Sequence, residues 1–256
     1  MSCTRRRSLE DFRMKCPRAA ATIAFFLGLS IAPANAQSAS DEWQVTVVPY
    51  LMAAGLNGTV GARGFDTNIN ASVSDVLSHL EFGAMGIVAA RKGAWVIGAD
   101  VVYVELSATA ERPPASVDFD QTALAFYGAR SLGSAVEARF GLRINRLEGQ
   151  LDFTHSVGVV TKEAEWWVDP IVGLLVRSPD GRRAQFRLYT EIGGFGAGSE
   201  IAWQVFPNAG IRLTERLGFE FGYRALGTDY ESGEEGDHFV WDTVMHGPAV
   251  GLTIRF

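Results

Sequence analysis

His246 and Asp242 come closest, by type and spacing, to a pair of residues that could do chemistry. They are four positions apart in a segment that alternates with period two, so both side chains fall on one face of a strand. A histidine beside a carboxylate could act as the general base of a hydrolase or acyltransferase. Counting back in twos from Phe256 puts this face with the apolar residues, unless a bulge at Pro248 reverses it.

Other catalytic and binding motifs are absent from the sequence. It has no Gly-x-Ser-x-Gly elbow, no clustered set of metal ligands and no phosphate-binding loop. Residues 193–198 are rich in glycine, but they lie in a strand pattern, where small residues indicate close packing between strands. We therefore predict neither a cofactor nor a bound metal.

A second group consists of charged residues that alternate with apolar ones, so that the two kinds take opposite faces of their strands. If the strands close into a barrel, these residues point into the lumen: Asp100, Glu137, Arg139, Arg143, Asp169, Arg177, Arg187, Glu191, Arg212, Glu220 and Arg224. Both signs are interleaved, so opposite charges are expected to pair across strands and fill the barrel. A narrow path for ions or small solutes is the alternative. A wide pore would need about sixteen strands.

The alternation that positions these residues runs through the chain from Trp43 onward. In residues 217–225 one face carries Leu217, Phe219, Phe221, Tyr223 and Ala225, and the other carries Gly218, Glu220, Gly222 and Arg224. An apolar face opposite a face of charges and glycines is typical of a membrane barrel, which has lipid outside and a polar lumen.

The predicted fold is therefore all-β: an antiparallel up-and-down transmembrane β-barrel of about ten strands, with eight or twelve as alternatives. The strands are 43–56, 81–91, 94–107, 118–131, 135–147, 165–177, 184–197, 201–213, 217–230 and 239–256. Short turns alternate with longer loops at 57–80, 108–117, 148–164 and 231–238, as expected for periplasmic turns and external loops. The short link near Gly198 and Ser199 departs from this rule.

A short helix is predicted near 73–80, inside the first long loop. Its apolar side consists of Val73, Val76, Leu77 and Leu80, and Ser74 and Asp75 could cap its start. It could be an ordinary loop helix or a plug in the barrel mouth.

Aromatic residues fall where the two girdles of such a barrel should lie. The predicted girdle residues are Trp43, Trp95, Tyr103, Trp166, Trp203 and Trp241. The chain ends in an alternating strand closed by Phe256, which resembles the C-terminal signal of outer-membrane assembly.

The first 36 residues predict a cleaved signal peptide, followed by one barrel domain over 37–256. A basic region precedes an apolar run, Pro33 ends that run, and residues 34–36 fit an Ala-x-Ala cleavage site; the true start could be Met1 or Met14. Both cysteines, Cys3 and Cys16, precede the site. The rest of the chain carries 23 − 6 = 17 basic and 29 − 2 = 27 acidic residues, a net charge of −10 that argues against nucleic acid.

Five segments carry a family resemblance: 49–58 (PYLMAAGLNG), 74–77 (SDVL), 167–173 (WVDPIVG), 193–196 (GGFG) and 245–248 (MHGP). They resemble a family of bacterial outer-membrane β-barrel proteins of unassigned function, grouped with porin-like and outer-membrane-protein-A-like barrels. The resemblance implies a location and a fold, and no activity.

Three functions remain open at this point. The first is a non-enzymatic barrel of the outer membrane, either envelope-structural or a narrow solute pore. The second is an outer-membrane enzyme that modifies lipid, such as a lipid A hydrolase or acyltransferase. The third is a soluble periplasmic lipid-binding barrel, which predicts the reverse facing, with an apolar lumen and a charged exterior. The expected partners are outer-membrane lipids, lipopolysaccharide and the outer-membrane assembly machinery; the oligomeric state stays open.

Overall fold

The computed structural model describes residues 42–62, 65–111, 114–153, 161–178, 183–234 and 238–256. The predicted signal peptide and its cleavage site lie outside these residues. The elements are β1 (Gln44–Met52), β2 (Gly55–Ala62), β3 (Phe65–Ala71), α1 (Val73–Ser78), β4 (Leu80–Lys92), β5 (Trp95–Glu111), β6 (Pro114–Ser131), β7 (Val136–Phe153), β8 (Thr161–Arg177), β9 (Ala184–Gly194), β10 (Ile201–Arg212), β11 (Leu217–Ser232) and β12 (Phe239–Arg255).

Ten of these strands form a closed antiparallel barrel. The order around the wall is β1, then β4 to β12 in sequence, and β1 pairs with β12 to close it. This confirms the predicted fold and strand number. We call the end with the start of β1, the end of β12 and the short turns the lower end; the other is the upper end.

The prediction of one continuous strand over 43–56 is wrong, because these residues belong to two strands, β1 and the start of β2. β1 pairs with the C-terminal half of β12, up to Met52 opposite Ala249, and β2 resumes along the N-terminal half at Gly55 opposite His246. β2 then forms a hairpin with β3. The predicted loop 57–80 therefore contains two strand segments that the sequence hid, since small and polar residues there occupy both faces.

Two other predicted loops are largely strand. The β5–β6 ladder continues to Glu111 opposite Pro114, and β7 continues to Phe153 opposite Ala115 of β6. The described parts of these two ranges, 108–111, 114–117, 148–153 and 161–164, thus extend the barrel wall at its upper end.

The faces of the strands agree with the sequence pattern. On β11, the side chains of Phe221 and Tyr223 point outward and are 52% and 47% exposed. The side chain of Arg224, the next residue, points into the lumen and is 3% exposed. The same split holds on β7, where Phe140 is exposed and Arg139 is buried. This facing is the opposite of the one that a soluble lipid-binding barrel requires.

Helix α1 begins at Val73, as predicted, but it ends at Ser78 rather than near residue 80, and its cap is Ser72 rather than Ser74. The Ser72 hydroxyl accepts from the backbone N–H of Asp75, and the Asp75 carboxylate accepts from the backbone N–H of Ser72 at 2.9 Å, which completes a capping box. The hydrogen bonds from Ser72 lower the pKa of the Asp75 carboxyl.

Most of the glycine-rich segment is a turn rather than a strand, but the predicted close packing is found, because a Cβ at Gly193 or Gly198 would lie 2.6 or 2.5 Å from a backbone oxygen of β8. β9 ends at Gly194, and residues Gly194, Phe195 and Gly196 all have positive φ angles, of 84°, 53° and 73°. Glycine adopts such angles without strain, so the chain reverses tightly here. The short upper link that departs from the rule of long external loops is confirmed.

Candidate functional site

The lumen is the candidate site, because all eleven predicted charged residues lie at its inward-facing positions. The strand alternation puts each of them on the buried side, and most contact another charged or aromatic side chain inside the barrel. Their contacts form three layers from the lower end upward: ion pairs around a cavity, a buried cross-lumen layer, and an apolar layer.

The lower layer consists of arginine–glutamate groups. Glu137, on β7, pairs with Arg91 on β4 and with Arg177 on β8 at 3.1 Å. Arg187 on β9 pairs with Glu220 on β11 at 2.5 Å, and Glu220 also accepts from the hydroxyl of Thr253. Arg91 was not predicted, because Ile87 and Ala89, which share its inward face on β4, are apolar and obscure the alternation.

Arg139 lies between two aromatic rings, and its described contacts do not include an ion pair. Its guanidinium carbon is 3.6 Å from the ring centroid of Tyr127 and 3.8 Å from that of Tyr189. Cation–π contacts on both faces of the guanidinium stabilise the positive charge of Arg139, for which the sequence predicted an ion pair.

The middle layer crosses the lumen around Arg224. Its guanidinium donates to Asp100 at 2.7 Å, to Gln204 at 2.6 and 3.0 Å, and to the hydroxyl of Tyr50, which itself donates to Asp100 at 2.9 Å. Tyr50, Asp100, Gln204 and Arg224 come from β1, β5, β10 and β11. We call these four residues the Arg224 layer; Tyr50 and Gln204 were not predicted.

Arg143 and Glu191 form a further pair, with side chains 3% and 9% exposed. Arg143 lies opposite Asp169 in the β7–β8 register but binds Glu191 on β9 instead.

Asp169 does not join an ion pair among the described residues, contrary to the expectation for the lumen charges. The carboxylate is fully buried and accepts four hydrogen bonds: from Asn145 at 2.9 Å, Trp167 at 3.1 Å, and the backbone N–H and hydroxyl of Ser199 at 2.7 and 3.0 Å. Four donors match the lone-pair sites of one carboxylate. Asp169 therefore anchors the β9–β10 turn inside the barrel.

The upper layer is apolar, which the sequence analysis did not anticipate. Trp167 stacks on Tyr230 with ring centroids 4.0 Å apart, and Trp241 stacks on Phe119 at 5.5 Å. Leu56, Leu147 and Phe239 pack around these rings. The upper lumen is therefore filled by aromatic and aliphatic side chains.

The prediction that Trp241 belongs to the outer aromatic girdle is wrong, because its side chain is 4% exposed and lies in the lumen. It is an odd-numbered residue on β12, whereas the outward residues Val250 and Leu252 are even-numbered. Counting in twos from the C-terminus would have identified it as inward.

The other five girdle residues are on the outside. Trp43, Trp95 and Trp166 are exposed. Tyr103 packs against the exposed Phe82, with ring centroids 6.0 Å apart, and Trp203 lies over Gly227 of the neighbouring strand. Phe256 is exposed at the lower end, where its backbone N–H donates to Val45 at 2.9 Å; its role as an assembly signal stays a prediction.

A cavity of about 610 Å³ occupies the lower lumen. Its walls include Arg91, Arg187 and Arg212 near the lower end, and it reaches up to Asp100, Gln204 and Phe206. The cavity thus ends at the Arg224 layer, above which the described lumen is packed with buried side chains.

His246 lies on the outer face, as counting from Phe256 indicated, so Pro248 does not reverse the strand. Its Nδ1 is 2.6 Å from the hydroxyl oxygen of Tyr223 and its Nε2 is 2.7 Å from the side-chain nitrogen of Asn57. The proposed partner Asp242 instead lies opposite Asp229 in the β11–β12 register. The described contacts of His246 therefore include neither the predicted carboxylate nor a serine or cysteine nucleophile.

Within the described ranges there is no group of three or more His, Cys, Asp or Glu side chains arranged to hold a metal ion. A search of the same residues finds no helix long and apolar enough to cross a membrane.

Comparisons with known proteins show similarity in fold only. No protein-family model matches the chain, and no curated protein matches it. Among solved structures, it is similar to Ail, the attachment invasion locus protein of Yersinia pestis (10% identity, 84% of this chain and 98% of that one, TM-score 0.40). It is also similar to the outer membrane protease OmpT of Escherichia coli (10% identity, 87% and 99%, TM-score 0.47) and to Neisserial surface protein A (11% identity, 86% and 100%, TM-score 0.31). The structures that this chain resembles are thus bacterial outer-membrane β-barrels, and identities this low carry no argument about activity.

Proposed function

We propose that this chain is a non-enzymatic β-barrel of the outer membrane whose lumen is closed, and that it serves the envelope as a structural protein rather than as a pore. The observation that carries the proposal is the Arg224 layer. It joins four strands across the lumen, and Tyr50, Gln204 and Arg224 in it are each less than 9% exposed. A solute path would have to break these hydrogen bonds.

The placement in the membrane rests on the outer surface. Large apolar side chains cover the outside of the barrel, including Leu142, Phe186 and Phe221. Trp95 and Tyr103 lie on the same outer face eight residues apart, which corresponds to roughly 20 Å of height in a tilted strand. This is close to the apolar band of about 25 Å that membrane barrels present to lipid.

Planar-bilayer recording tests the closed lumen. We expect purified, folded protein to give no discrete conductance steps, because the hydrogen-bonded side chains of the Arg224 layer cross the lumen. A general porin inserted under the same conditions serves as the positive control. Reproducible steps from the wild-type protein would show an open pathway and overturn the proposal in favour of the narrow solute pore.

The enzymatic alternative predicts that His246 is needed for lipid modification. Because its described partners are Tyr223 and Asn57, we expect cells producing His246→Ala to have the same lipid A profile as cells producing the wild type. Mass spectrometry of lipid A measures this, with Val244→Ala, an outward position on the same strand, as the matched control. Loss of a lipid A species in the His246 variant alone would favour the enzyme.

A further inference from the structure

The barrel wall has a gap near its upper end, between the β2–β3 hairpin and β4. The β1–β4 ladder stops at Tyr50 opposite Met85. Above that point β2 pairs with β3, and β4 pairs with β5 as far as Leu80. No described pairing joins β3 to β4, so these two strands form the edges of the gap. Helix α1 follows β3 and leads into β4 at this place, and its residues Val76 and Leu77 face the gap.

A cavity of about 70 Å³ lies in this gap, and residues of both the outer surface and the lumen line it. Leu51, Leu77 and Leu80 line it and are exposed on the outside. Met52 and Met245 line it as well and are buried in the lumen. The cavity therefore connects the outer surface with the interior of the upper lumen.

The chemistry of this cavity is apolar. Of its lining residues only Gln121 has a polar side chain, and no charged residue contributes. Behind it lie Leu56 and Phe119, and Phe119 stacks on Trp241. The lower lumen, in contrast, is lined by arginines and carboxylates, and the Arg224 layer separates the two regions.

The height of the gap places it beside the acyl chains of the outer leaflet. Leu51 is eight residues beyond Trp43, which lies at the lower edge, so it is roughly 20 Å higher in a strand of ordinary tilt. That is near the top of an apolar band of about 25 Å. The leucines at the mouth are therefore continuous with the lipid-facing surface.

We propose that this gap admits one acyl chain of an outer-leaflet membrane lipid sideways into the apolar upper lumen. The occupant is a lipid chain because the mouth opens on the lipid-facing surface and the lining offers no charged side chain and one polar side chain, that of Gln121. The inference rests on the membrane placement argued above. The present cavity takes only the end of a chain; deeper entry requires rotation of Met52, Met85 and Met245, whose unbranched side chains adapt readily.

Quenching of tryptophan fluorescence by lipids with brominated acyl chains tests the proposal. The probe protein keeps only Trp241, with the other five tryptophans replaced by phenylalanine; a companion protein keeps only Trp95 on the outer surface. Both are folded into phosphatidylcholine vesicles with brominated or ordinary chains. Folding is checked by the heat-dependent migration of the barrel on gels. We expect Trp241 to lose most of its emission in the brominated vesicles.

Two variants of the probe protein separate a chain inside the lumen from lipid outside the wall. Ala54→Leu fills the cavity, and Leu77→Lys puts a charge at its mouth on an exposed helix where folding of the barrel is not at risk. Each should restore most of the Trp241 emission. The matched control, Ala225→Leu on the outer face of β11, should leave the quenching unchanged.

The outcomes distinguish this inference from the proposed function. If Trp95 is quenched and Trp241 is not, the lateral site is excluded and the membrane placement stands. If Trp241 is quenched equally in both variants, the quenching occurs across the wall and the lateral site is again excluded. If neither tryptophan is quenched, the placement in the membrane fails, and the inference fails with it.

Discussion

Replacing Arg224 with methionine is expected to lower the free energy of unfolding by about 3–5 kcal/mol, because removal of one partner leaves buried charge without compensation. Methionine keeps the length of the side chain but donates no hydrogen bond. Asp100 would lose its ion pair, the Oε1 of Gln204 would lose the two hydrogen bonds that it accepts, and the hydroxyl of Tyr50 would lose its donor. Equilibrium unfolding by urea in lipid vesicles, followed by tryptophan fluorescence, measures the change.

Two further variants identify the cause of this loss. The double variant Arg224→Met with Asp100→Asn removes both charges and should be more stable than Arg224→Met alone, since the unpaired carboxylate is gone. Arg146→Met is the matched control: Arg146 also pairs with a carboxylate, that of Glu148 at 2.5 Å, but its side chain is 59% exposed. Its loss should cost less than about 1 kcal/mol. Equal effects of Arg224→Met and Arg146→Met would contradict the role of the Arg224 layer.

Asp169→Ala is expected to have the second large effect and to lower the free energy of unfolding by about 2–4 kcal/mol. A single hydrogen bond to a charged group contributes about 1.5–3 kcal/mol, and bonds that share one acceptor are not additive. Four donors would lose their acceptor, among them the buried backbone N–H of Ser199 in the β9–β10 turn. We therefore expect faster amide hydrogen exchange at Ser199, measured by NMR, together with the lower stability in urea.

Removal of single hydroxyls calibrates the Asp169 result. Ser199→Ala takes away one buried donor to the carboxylate and should lower the free energy of unfolding by about 1.5 kcal/mol, the low end for a hydrogen bond to a charged group. Ser107→Ala removes a comparable hydroxyl bond to Asp118 at 2.7 Å that lies exposed, and should change stability by a few tenths of a kcal/mol. If Asp169→Ala proved no worse than Ser107→Ala, the carboxylate would not anchor the turn.

Much of the barrel is predictable from period-two alternation. On β7, β10 and β11 a residue's parity decides whether it faces lipid or lumen, and the outward positions of Phe140, Val205 and Phe221 follow directly. The approximate strand number follows from the same pattern, because most of the alternating runs are long enough to cross a membrane, although eight or twelve strands fitted the sequence as well. The β2–β3 hairpin escapes this reasoning, since residues such as Asn57, Gly58 and Thr59 give neither face an apolar character.

The partners inside the lumen are less predictable than the facing. Alternation identifies Asp100 and Arg224 as inward, but their sequence separation of 124 residues means that only the curvature and tilt of the closed wall bring them together. The same closure places Arg139 between tyrosines and Asp169 beside neutral donors. The apolar upper layer was missed because membrane barrels are expected to have polar interiors, although the odd positions of Trp241 and Met245 on β12 indicate it.

The claim beneath all of these inferences is that the apolar outer surface of the barrel faces outer-membrane lipid. Fractionation of cells producing the full chain tests it most directly. The account predicts recovery with the outer membrane, release by detergent but not by high salt, and heat-dependent migration on gels. Recovery in the soluble periplasmic fraction without detergent would contradict it, because a surface with side chains such as Phe186 and Phe221 exposed would then have to be stable in water.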